Sequence, residues 1–347
     1  MKLIEKDGVE AFLELAGYVG SVKNNVSLFN YACKNKGTLA VTNGKEFFML
    51  FDKALENTED GVYELATSKA YKKLAKKATI DVDDFPETNF LVNANFSSAL
   101  PITKSQAEKM LIAYTFVSTD DTRPYIEGVH FDEPYIVATD GRQLYASDGF
   151  NGFPNVTIPH TKMLDTILKK GENINFAIYE KYALFEFSYF ESTFRYALQT
   201  IDGHFPNWKN VVPERHTNLI KMESSQYPVY KLTAPNINEW NNIHAIYKKL
   251  GKAVRDYAKI AIYPKENSVV EVKNEYDDMV LGEMKWYGFK NEYFDEEHNT
   301  LYINEGFFNH ALTILPVHLI AYTDFIHAIV FNYIDNSFAL VMPMVKQ

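Results

Sequence analysis

Lysine side chains recur at helical spacing in four segments of the chain, where they could bind phosphate groups. The segments span residues 67–77, 103–116, 161–170 and 238–257, and each has the pattern of a helix. Ammonium groups on one helix face can meet the phosphates of a nucleic acid without reading its bases. For any single helix, a lysine-rich face that is merely solvated is the alternative, and the sequence leaves both interpretations open. The basic residues of these segments are Lys69, Lys72, Lys73, Lys76 and Lys77, then Lys104 and Lys109, then Lys162, Lys169 and Lys170, then Lys248, Lys249, Lys252 and Arg255.

The overall charge limits how the chain could meet a nucleic acid. The formal net charge is −10, which argues against a protein that coats DNA with its whole surface. Acidic residues concentrate outside the lysine-rich segments, within 56–60, 81–87 and 292–297. DNA binding is therefore expected only if the lysines share one face. The segment 304–315 also has the pattern of a helix but contains no lysine or arginine, so the charge is expected to be uneven.

Residue types that catalyse reactions do not form a recognisable motif. Asp140 and Asp202 each precede a glycine, which is usual for turns, and His130, His160 and His204 are scattered along the chain. HExxH, GxSxG, P-loop and GxGxxG patterns do not occur. The sequence therefore predicts a protein that is not an enzyme, with no catalytic residues, no metal ion and no cofactor.

Length and composition predict a multidomain protein of the cytoplasm. The 347 residues suggest two or three domains, and 46% hydrophobic residues supply packed cores. The start, MKLIEKDGVEAFLEL, has acidic residues where a signal peptide has an apolar core, and no charge-free apolar run could span a bilayer. Cys33 is the only cysteine, so it forms no internal disulfide, and we interpret it as a small buried hydrophobe.

Two kinds of repeat predict how the chain is built. Residues 37–48 (GTLAVTNGKEFF) and 134–145 (PYIVATDGRQLY) both alternate apolar residues before Thr-Asn/Asp-Gly, the signal for a strand that enters a tight hairpin. Gly44 and Gly141 supply the positive φ that such turns need. A strand, a capping residue and a helix also recur in 61–77, in 155–171 with Thr161 near the cap, and in 299–315 with Asn304 as the cap. A third echo joins DDFPETN (83–89) to GHFPNWK (203–209).

These repeats favour an α+β fold of three units, each with antiparallel strands and about two helices on one face. Strand-rich stretches at 181–201, 258–274 and 328–344 complete the units, the last with a turn at Asp335-Asn336. The predicted domains are 1–97, 98–222 and 223–347.

Three segments resemble the bacterial DNA sliding clamps, the β subunits of DNA polymerase III. TRPYIEGVHF (122–131) followed by YIVATDGRQLYAS (135–147) is similar to the central clamp domain, and IDGHFPNWKNVVP (201–213) to the strand end that closes it. The final LVMPMVKQ is similar to the clamp C-terminus, whose hallmark is Met-Pro-Met. The first domain matches least and is shorter than is usual in the family.

The resemblance implies three clamp domains in an arc or half-ring, and a head-to-tail homodimer that encircles double-stranded DNA without reading its sequence. It implies a processivity factor that tethers DNA polymerase, has no catalytic residues of its own and needs no cofactor. The DNA-contacting residues that the match and the lysine-rich segments together suggest are Lys23, Lys69, Lys72, Lys73, Lys76, Lys104, Arg123, Pro124, Tyr125, Lys169, Lys170, Lys249 and Lys252. Arg123 could equally be a structural ion-pair partner.

The resemblance also implies a pocket that binds short peptide motifs of DNA polymerase and of the clamp loader. Gln143 and Asn210 stand where arginine is common in the family. The matched pocket positions are Ile126, Thr139, Gly141, Arg142, Leu144, Pro206, Val211, Phe307, Ile326, Leu340, Met342, Pro343 and Met344. A clamp-like peptide-binding or regulatory protein that does not encircle DNA is the alternative, and the lysine-rich helices distinguish the two because such a protein does not need them.

Overall fold

The chain folds into two compact units of helices and antiparallel strands, as a computed structural model shows. The structure describes residues 8–19, 31–57, 59–65, 74–77, 82, 89–212, 230–252, 255, 258–265, 268–276, 278–287, 300–322 and 328–344. The first unit comprises Met1–Thr115, Arg123–Pro134 and Phe150–Gly203, and the second Phe116–Thr122, Tyr135–Gly149 and His204–Gln347. The α+β class predicted from the sequence is confirmed.

The helices begin where the sequence places capping residues. Thr103 and Gln106 form a capping box, in which the Gln106 amide donates to Thr103 Oγ1 at 3.2 Å and Gln106 Oε1 accepts from the Thr103 amide at 2.8 Å. Thr161 and Asn304 cap their helices through side-chain oxygens, which confirms both predicted starts. The longest helices of the described residues have eleven residues, about half of what a membrane-spanning helix needs. The described helices are α1 (Gly8–Ala16), α2 (Asn89–Asn93), α3 (Lys104–Tyr114), α4 (Lys162–Lys170), α5 (Ile237–Tyr247) and α6 (Glu305–Thr313).

The first unit is built on a nine-stranded antiparallel sheet. Its strands, from one edge to the other, are β5 (Leu74–Lys77), β4 (Gly61–Leu65), β1 (Tyr31–Asn35), β2 (Thr38–Thr42), β3 (Glu46–Phe51), β13 (Ser192–Gln199), β12 (Tyr182–Tyr189), β11 (Glu172–Tyr179) and β6 (Leu100–Pro101). This unit also contains β7 (Gly128–Asp132), which pairs with β10 (Val156–Pro159). Helix α1 packs on β3 through Phe12, whose ring stacks on Phe48 at 5.1 Å, and Phe48 stacks on Phe194 at 5.4 Å. Much of the aromatic content is thus core packing.

The end of the predicted helix 67–77 is a strand, so that prediction is wrong for residues 74–77. Strand β5 pairs with β4, with Lys77 opposite Tyr63 and Leu74 opposite Leu65. Leu, Ala and Lys are all good helix formers, but propensity is worth only a few tenths of a kcal/mol per residue, and pairing to a sheet edge overrides it. Residues 66–73 lie outside the described residues.

The second unit contains two antiparallel strand groups. One group, in spatial order, is β8 (Tyr135–Thr139), β9 (Gln143–Asp148), β21 (Phe338–Val341), β20 (Ile329–Tyr333), β19 (Val317–Tyr322) and β14 (Tyr230–Leu232). The other is β17 (Val280–Lys285), β16 (Val269–Asn274), β15 (Lys259–Pro264) and β18 (Leu301–Asn304). The fully buried Trp240 and Trp286 pack against Phe308 of α6 with ring centroids 4.8 and 5.8 Å away.

Helix α5 ends at Tyr247, so the single predicted helix 238–257 is wrong for residues 248–251, while Lys252 and Arg255 beyond that break are helical again. The amides of Lys249 and Leu250 bond to carbonyls three residues earlier, at Ile246 and Tyr247, which tightens the last turn. Gly251 follows this turn, and glycine is a common helix stop.

The two Thr-Asn/Asp-Gly turns have the same hydrogen bonds, which confirms the predicted hairpins. Thr42 Oγ1 donates to the Glu46 carbonyl at 2.7 Å, and Thr139 Oγ1 donates to the Gln143 carbonyl at 2.6 Å. The glycine amide donates back to the threonine hydroxyl in both turns, at 2.9 and 3.0 Å. Both glycines have positive φ, +85° and +87°. The repeated sequence motif is therefore a repeated structure.

Cys33 lies in β1, where burial should make its thiol unreactive. The residue is 5% exposed, and burial, with a smaller contribution from Asp60, raises the pKa of Cys33 to about 11. Only the thiolate attacks alkylating reagents, so at pH 8 we expect Cys33 to react with iodoacetamide roughly two orders of magnitude more slowly than a free cysteine. Mass spectrometry of the native protein, with the urea-unfolded chain as control, measures this. Equal rates in both states would contradict the buried position.

Candidate functional site

Helices α3 and α4 carry all the lysines of the six helices α1 to α6 and pack against each other. Both belong to the first unit. They contain five lysines and two carboxylates, Glu108 and Asp165. Asp165 Oδ1 lies 3.0 Å from His160 Nε2, so part of its charge is directed to that ring. The α3–α4 pair is therefore a locally basic surface on an acidic chain. Lys109 is half-buried, and the other four lysines are exposed: Lys104, Lys162, Lys169 and Lys170.

The other described helices of comparable length are acidic. Helix α1 contributes Glu10 and Glu14, and Lys170 Nζ lies 3.7 Å from Glu14 Oε1, which offsets part of the positive charge of α4. Glu305 at the start of α6 is 4% exposed and hydrogen-bonds to His244. Burial raises the pKa of Glu305 above its ordinary value, against the His244 contact that lowers it. The predicted unevenness of charge is thus present among the described helices.

The remaining predicted DNA-contacting residues lie in several places. Pro124 and Tyr125 start a short 3₁₀ turn, Pro124–Ile126, in which Tyr125 is 37% exposed, and Arg123 precedes it. Lys76 is on strand β5 and not on a helix. Lys249 and Lys252 are exposed beyond the end of α5. Lys23, Lys69, Lys72 and Lys73 lie outside the described residues.

Most of the predicted peptide-pocket residues lie together at one end of the second unit. Leu144 on β9 and Leu340 on β21 are opposite each other in the sheet and are 3% and 2% exposed. They share a hydrophobic cluster with Trp208 and Val212, which belong to the segment that follows β13. This segment therefore lies across the strands. The buried apolar side chains of the strands beneath it, Leu144 and Leu340 among them, form an apolar floor, and the partly exposed residues of the segment border that floor.

The rim of this floor is formed by exposed apolar and polar groups. Val211 is 50% exposed and Met342 is 38% exposed, while Pro206, Gly141 and Arg142 are also exposed and Thr139 is buried. Exposed apolar side chains beside an apolar floor are typical of a binding groove. We name this region the second groove; its described members are Thr139, Gly141, Arg142, Leu144, Pro206, Trp208, Val211, Val212, Leu340, Met342, Pro343 and Met344.

The Met-Pro-Met tail is fixed by its backbone. The Met342 amide donates to the Arg142 carbonyl at 2.9 Å, and the Met344 amide donates to the Tyr302 carbonyl at 2.8 Å. Pro343 between them has no amide to satisfy. The tail is thus held at both ends, which leaves the flexible methionine side chains to adapt to a ligand.

A polar network holds the turn beside the second groove. Asp140 Oδ1 accepts from the amides of Arg142 and Gln143 at 2.8 and 2.9 Å, and Gln143 Nε2 donates to Asp140 Oδ2 at 3.0 Å. Gln143 Oε1 lies 3.2 Å from His310 Nδ1 of α6. Burial lowers the pKa of His310, with Asp140 opposing that shift, so the neutral ring donates through Nδ1. Gln143 therefore links the turn to α6.

Three of the predicted pocket residues stand apart from this description. Ile126 belongs to the first unit and is 2% exposed, Phe307 on α6 is half-buried, and Ile326 lies outside the described residues. Sequence reasoning missed Trp208 and Val212, although the echo between residues 83–89 and 203–209 pointed to that segment. Among the described residues, no three His, Cys, Asp or Glu side chains come together as a metal site.

Comparisons with known proteins assign this fold. A segment of 129 residues is 30% identical to the β sliding clamp of Treponema pallidum, a match that spans a third of this chain and a third of that protein. The DnaN sliding clamp (DNA polymerase III subunit beta) of Bartonella birtlesii, solved with bound griselimycin, is 16% identical with a TM-score of 0.68, covering 98% of this chain and 99% of that one. The C. crescentus β sliding clamp gives 13% identity and a TM-score of 0.69, covering 98% and 97%. No protein-family model matches the chain.

Proposed function

We propose that this chain, a divergent member of the DNA polymerase III β subunit family by its sequence match and its fold, acts as a DNA sliding clamp. In this proposal it encircles double-stranded DNA as a head-to-tail homodimer of three-domain subunits and tethers DNA polymerase without catalysing a reaction. The observation that carries the proposal is the sliding-clamp fold over 98% of the chain. The proposal takes the three domains at the boundaries predicted from the sequence, 1–97, 98–222 and 223–347, and it includes the half-ring arrangement of the subunit.

The basic surface of α3 and α4 supports the DNA contact. Non-specific DNA binding comes from ammonium and guanidinium groups that replace counterions at phosphates, and it needs no base contacts. Exposed lysines at both ends of α4, at Lys162 and at Lys169 and Lys170, can reach separate phosphates. In the proposal, DNA is therefore held mainly by the α3–α4 pair of each subunit, with Tyr125 and its neighbours as a secondary contact.

The second groove supports the peptide contact. A short linear peptide gains affinity from an apolar anchor in a hydrophobic slot and specificity from a few polar groups around it. The floor at Leu144 and Leu340 with the exposed rim at Val211 and Met342 offers this combination. We propose that peptide motifs of a DNA polymerase and of a clamp loader bind here.

A free strand edge supports the homodimer. Strand β3 pairs with β2 on one side and with β13 on the other, and β9 pairs with β8 on one side and with β21 on the other. Strands β15, β16 and β17 form a meander, and among the described residues no strand pairs with the outer edge of β17. Asn236 and the Glu239 side chain bond to the Lys285 backbone on this edge, so the stretch that can accept a strand is Val280–Glu283. Val280 on this edge is 50% exposed. An unpaired edge is a ready template for a strand of a second subunit, and head-to-tail assembly needs complementary ends.

The proposal predicts a dimer that forms a topological link with DNA. The 39.9 kDa chain should give twice that mass in light scattering after gel filtration. On nicked circular duplex, a closed ring should stay bound through a high-salt wash, because salt weakens phosphate contacts but cannot break a topological link. Cutting the circle with a restriction enzyme should release the protein. A monomer at high protein concentration that leaves the circle in salt would contradict the ring.

One observation favours a second candidate, a clamp-like peptide-binding protein that does not encircle DNA. Helices α1, α5 and α6 contain acidic residues and no lysine or arginine, and the net charge is −10. This candidate predicts peptide binding by a monomer with no retention on circular DNA, so the same two measurements separate the candidates.

A further inference from the structure

The first unit contains a counterpart of the second groove, position by position. The turns at Gly44 and Gly141 have the same geometry, so aligning them places Phe47 at the position of Leu144. The strands that pair with β3 and β9, which are β13 and β21, align in the same way. The Gln199 amide donates to the Lys45 carbonyl at 2.9 Å, as the Met342 amide donates to the Arg142 carbonyl at 2.9 Å. The floor residues of the two clusters therefore correspond as Ala40 and Val137, Phe47 and Leu144, Met49 and Ala146, Leu184 and Val330, and Ala197 and Leu340. We name the counterpart the first groove.

Each floor is covered by a following segment, which contributes Leu91 and Ala94 to the first cluster and Trp208 and Val212 to the second. The first groove differs because two further aromatic side chains, Phe90 and Tyr182, pack against its cluster. Tyr182 precedes Leu184 by two residues, and its counterpart before Val330 is Ala328. The ring of Phe90, from α2, lies 5.1 Å from Phe47 edge-on and 5.0 Å from Tyr182 in a stack. Where the first groove has Phe47 and Tyr182, the second groove has the smaller Leu144 and Ala328, with Trp208 of its own covering segment in the same cluster. The place of an anchor side chain is thus occupied in the first groove by the chain itself.

Side-chain hydrogen bonds to backbone carbonyls hold the segment that carries Phe90, as they commonly hold a bound peptide. Arg195 Nη1 donates to the carbonyls of Leu91 and Val92, the latter at 3.0 Å, and its Nε donates to Glu186 at 2.9 Å. The guanidinium lies 4.7 Å from the ring centroids of Phe51 and of Phe96. An apolar anchor combined with hydrogen bonds to backbone carbonyls is the usual chemistry of peptide recognition.

We propose that the first groove is a second peptide-binding site, occupied in cis by residues 89–96 with Phe90 as the anchor between Phe47 and Tyr182. Its ligand class is a short peptide with an aromatic anchor, and it is closed in the native chain. Each subunit then offers one open groove, the second. Residues 89–96, which include α2, stay packed on the sheet of the first unit. That the ligand is a peptide rests on the peptide function proposed for the second groove. The correspondence between the floor residues of the two grooves is independent of that function.

Removing the anchor should open the first groove to a peptide supplied in trans. The variant is Phe90→Ala in the full chain, and the matched control is Val92→Ala, because Val92 lies on the same helix and is 42% exposed. The probe is a synthetic peptide of residues 88–97 with benzoylphenylalanine at the Phe90 position. It is used at millimolar concentration, since the tethered segment competes at an effective concentration of that order. After irradiation, mass spectrometry maps the crosslinks.

We expect crosslinks on β12, around Tyr182, at least about tenfold more abundant in Phe90→Ala than in the wild type or in Val92→Ala, because an emptied anchor place is the only change. Crosslinks within 204–212 or 342–344 report the second groove and so test the proposed function separately. A Phe90→Ala protein with wild-type circular dichroism and no excess of β12 crosslinks overturns the inference. If that variant does not fold, Phe90→Leu replaces it, and the same absence of β12 crosslinks overturns the inference.

Discussion

Replacing the five lysines of α3 and α4 by alanine is expected to abolish most of the affinity for double-stranded DNA. Removal of one lysine–phosphate interaction should reduce the slope of log K against log salt by about 0.9, so the slope should fall by about 4.5 for all five. Near 0.1 M salt this corresponds to a decrease in affinity on the order of 10³-fold or more. Fluorescence anisotropy with a labelled duplex at several salt concentrations measures both quantities. The substituted residues are Lys104, Lys109, Lys162, Lys169 and Lys170.

A control with the same change in net charge separates local contacts from the field of the whole protein. It substitutes five exposed lysines that lie outside the α-helices and outside β17, Lys36, Lys45, Lys53, Lys181 and Lys265. If the α3–α4 pair holds the DNA, the control should retain most of the salt slope. An equal decrease in affinity in both variants would show that only overall charge matters, and would remove the main support for a DNA-facing helix pair.

Placing two carboxylates on the rim of the second groove is expected to prevent binding of the polymerase. The double variant Val211→Asp and Met342→Asp puts charges where an apolar anchor would have to exclude water, so binding should weaken about 100-fold or more. Because these side chains are 50% and 38% exposed, the fold should persist. Surface plasmon resonance against the replicative polymerase of the same organism measures the change, and circular dichroism checks the fold.

A matched control for the second groove lies in the same sheet. Ile334, at the turn between β20 and β21, is 69% exposed, and Ile334→Asp adds the same kind of charge away from the groove. It should bind the polymerase like the wild type. Loss of binding in Ile334→Asp, or full binding in the double variant, would contradict the second groove as the peptide site. DNA retention should be unchanged in both, because neither position lies on α3 or α4.

The resemblance seen in the sequence predicted the fold correctly, because its motifs are local, and the match to the Treponema pallidum clamp supports the family that it named. Thr, Asn or Asp, and Gly at fixed offsets determine a turn through their own side-chain hydrogen bonds, and Asp140 shows how one carboxylate bonds two successive amides. Domain boundaries and most site residues stay predictions, since assigning them depends on how distant segments meet.

Local sequence failed where a distant partner competed with local preference. Leu74–Lys77 consists of good helix formers and still forms a strand, because the edge of β4 offers hydrogen bonds to its backbone. The charge of α4 could be read from its lysines, but the Glu14 that lies beside Lys170 comes from a helix about 150 residues earlier. Helix α5 stopped early at a turn that three-residue hydrogen bonds close.

The sequence alone determined the elements whose hydrogen bonds close within a few residues: the Gly44 and Gly141 turns, and the helix starts at Thr161 and Asn304. Only the tertiary structure decided which strands became neighbours, because pairing β3 with β13 joins segments that no local pattern relates. It also decided that Phe90 fills the first groove, while the second groove keeps an exposed apolar rim. Side-chain size can be read from sequence, but the space it enters exists only once the strands have met.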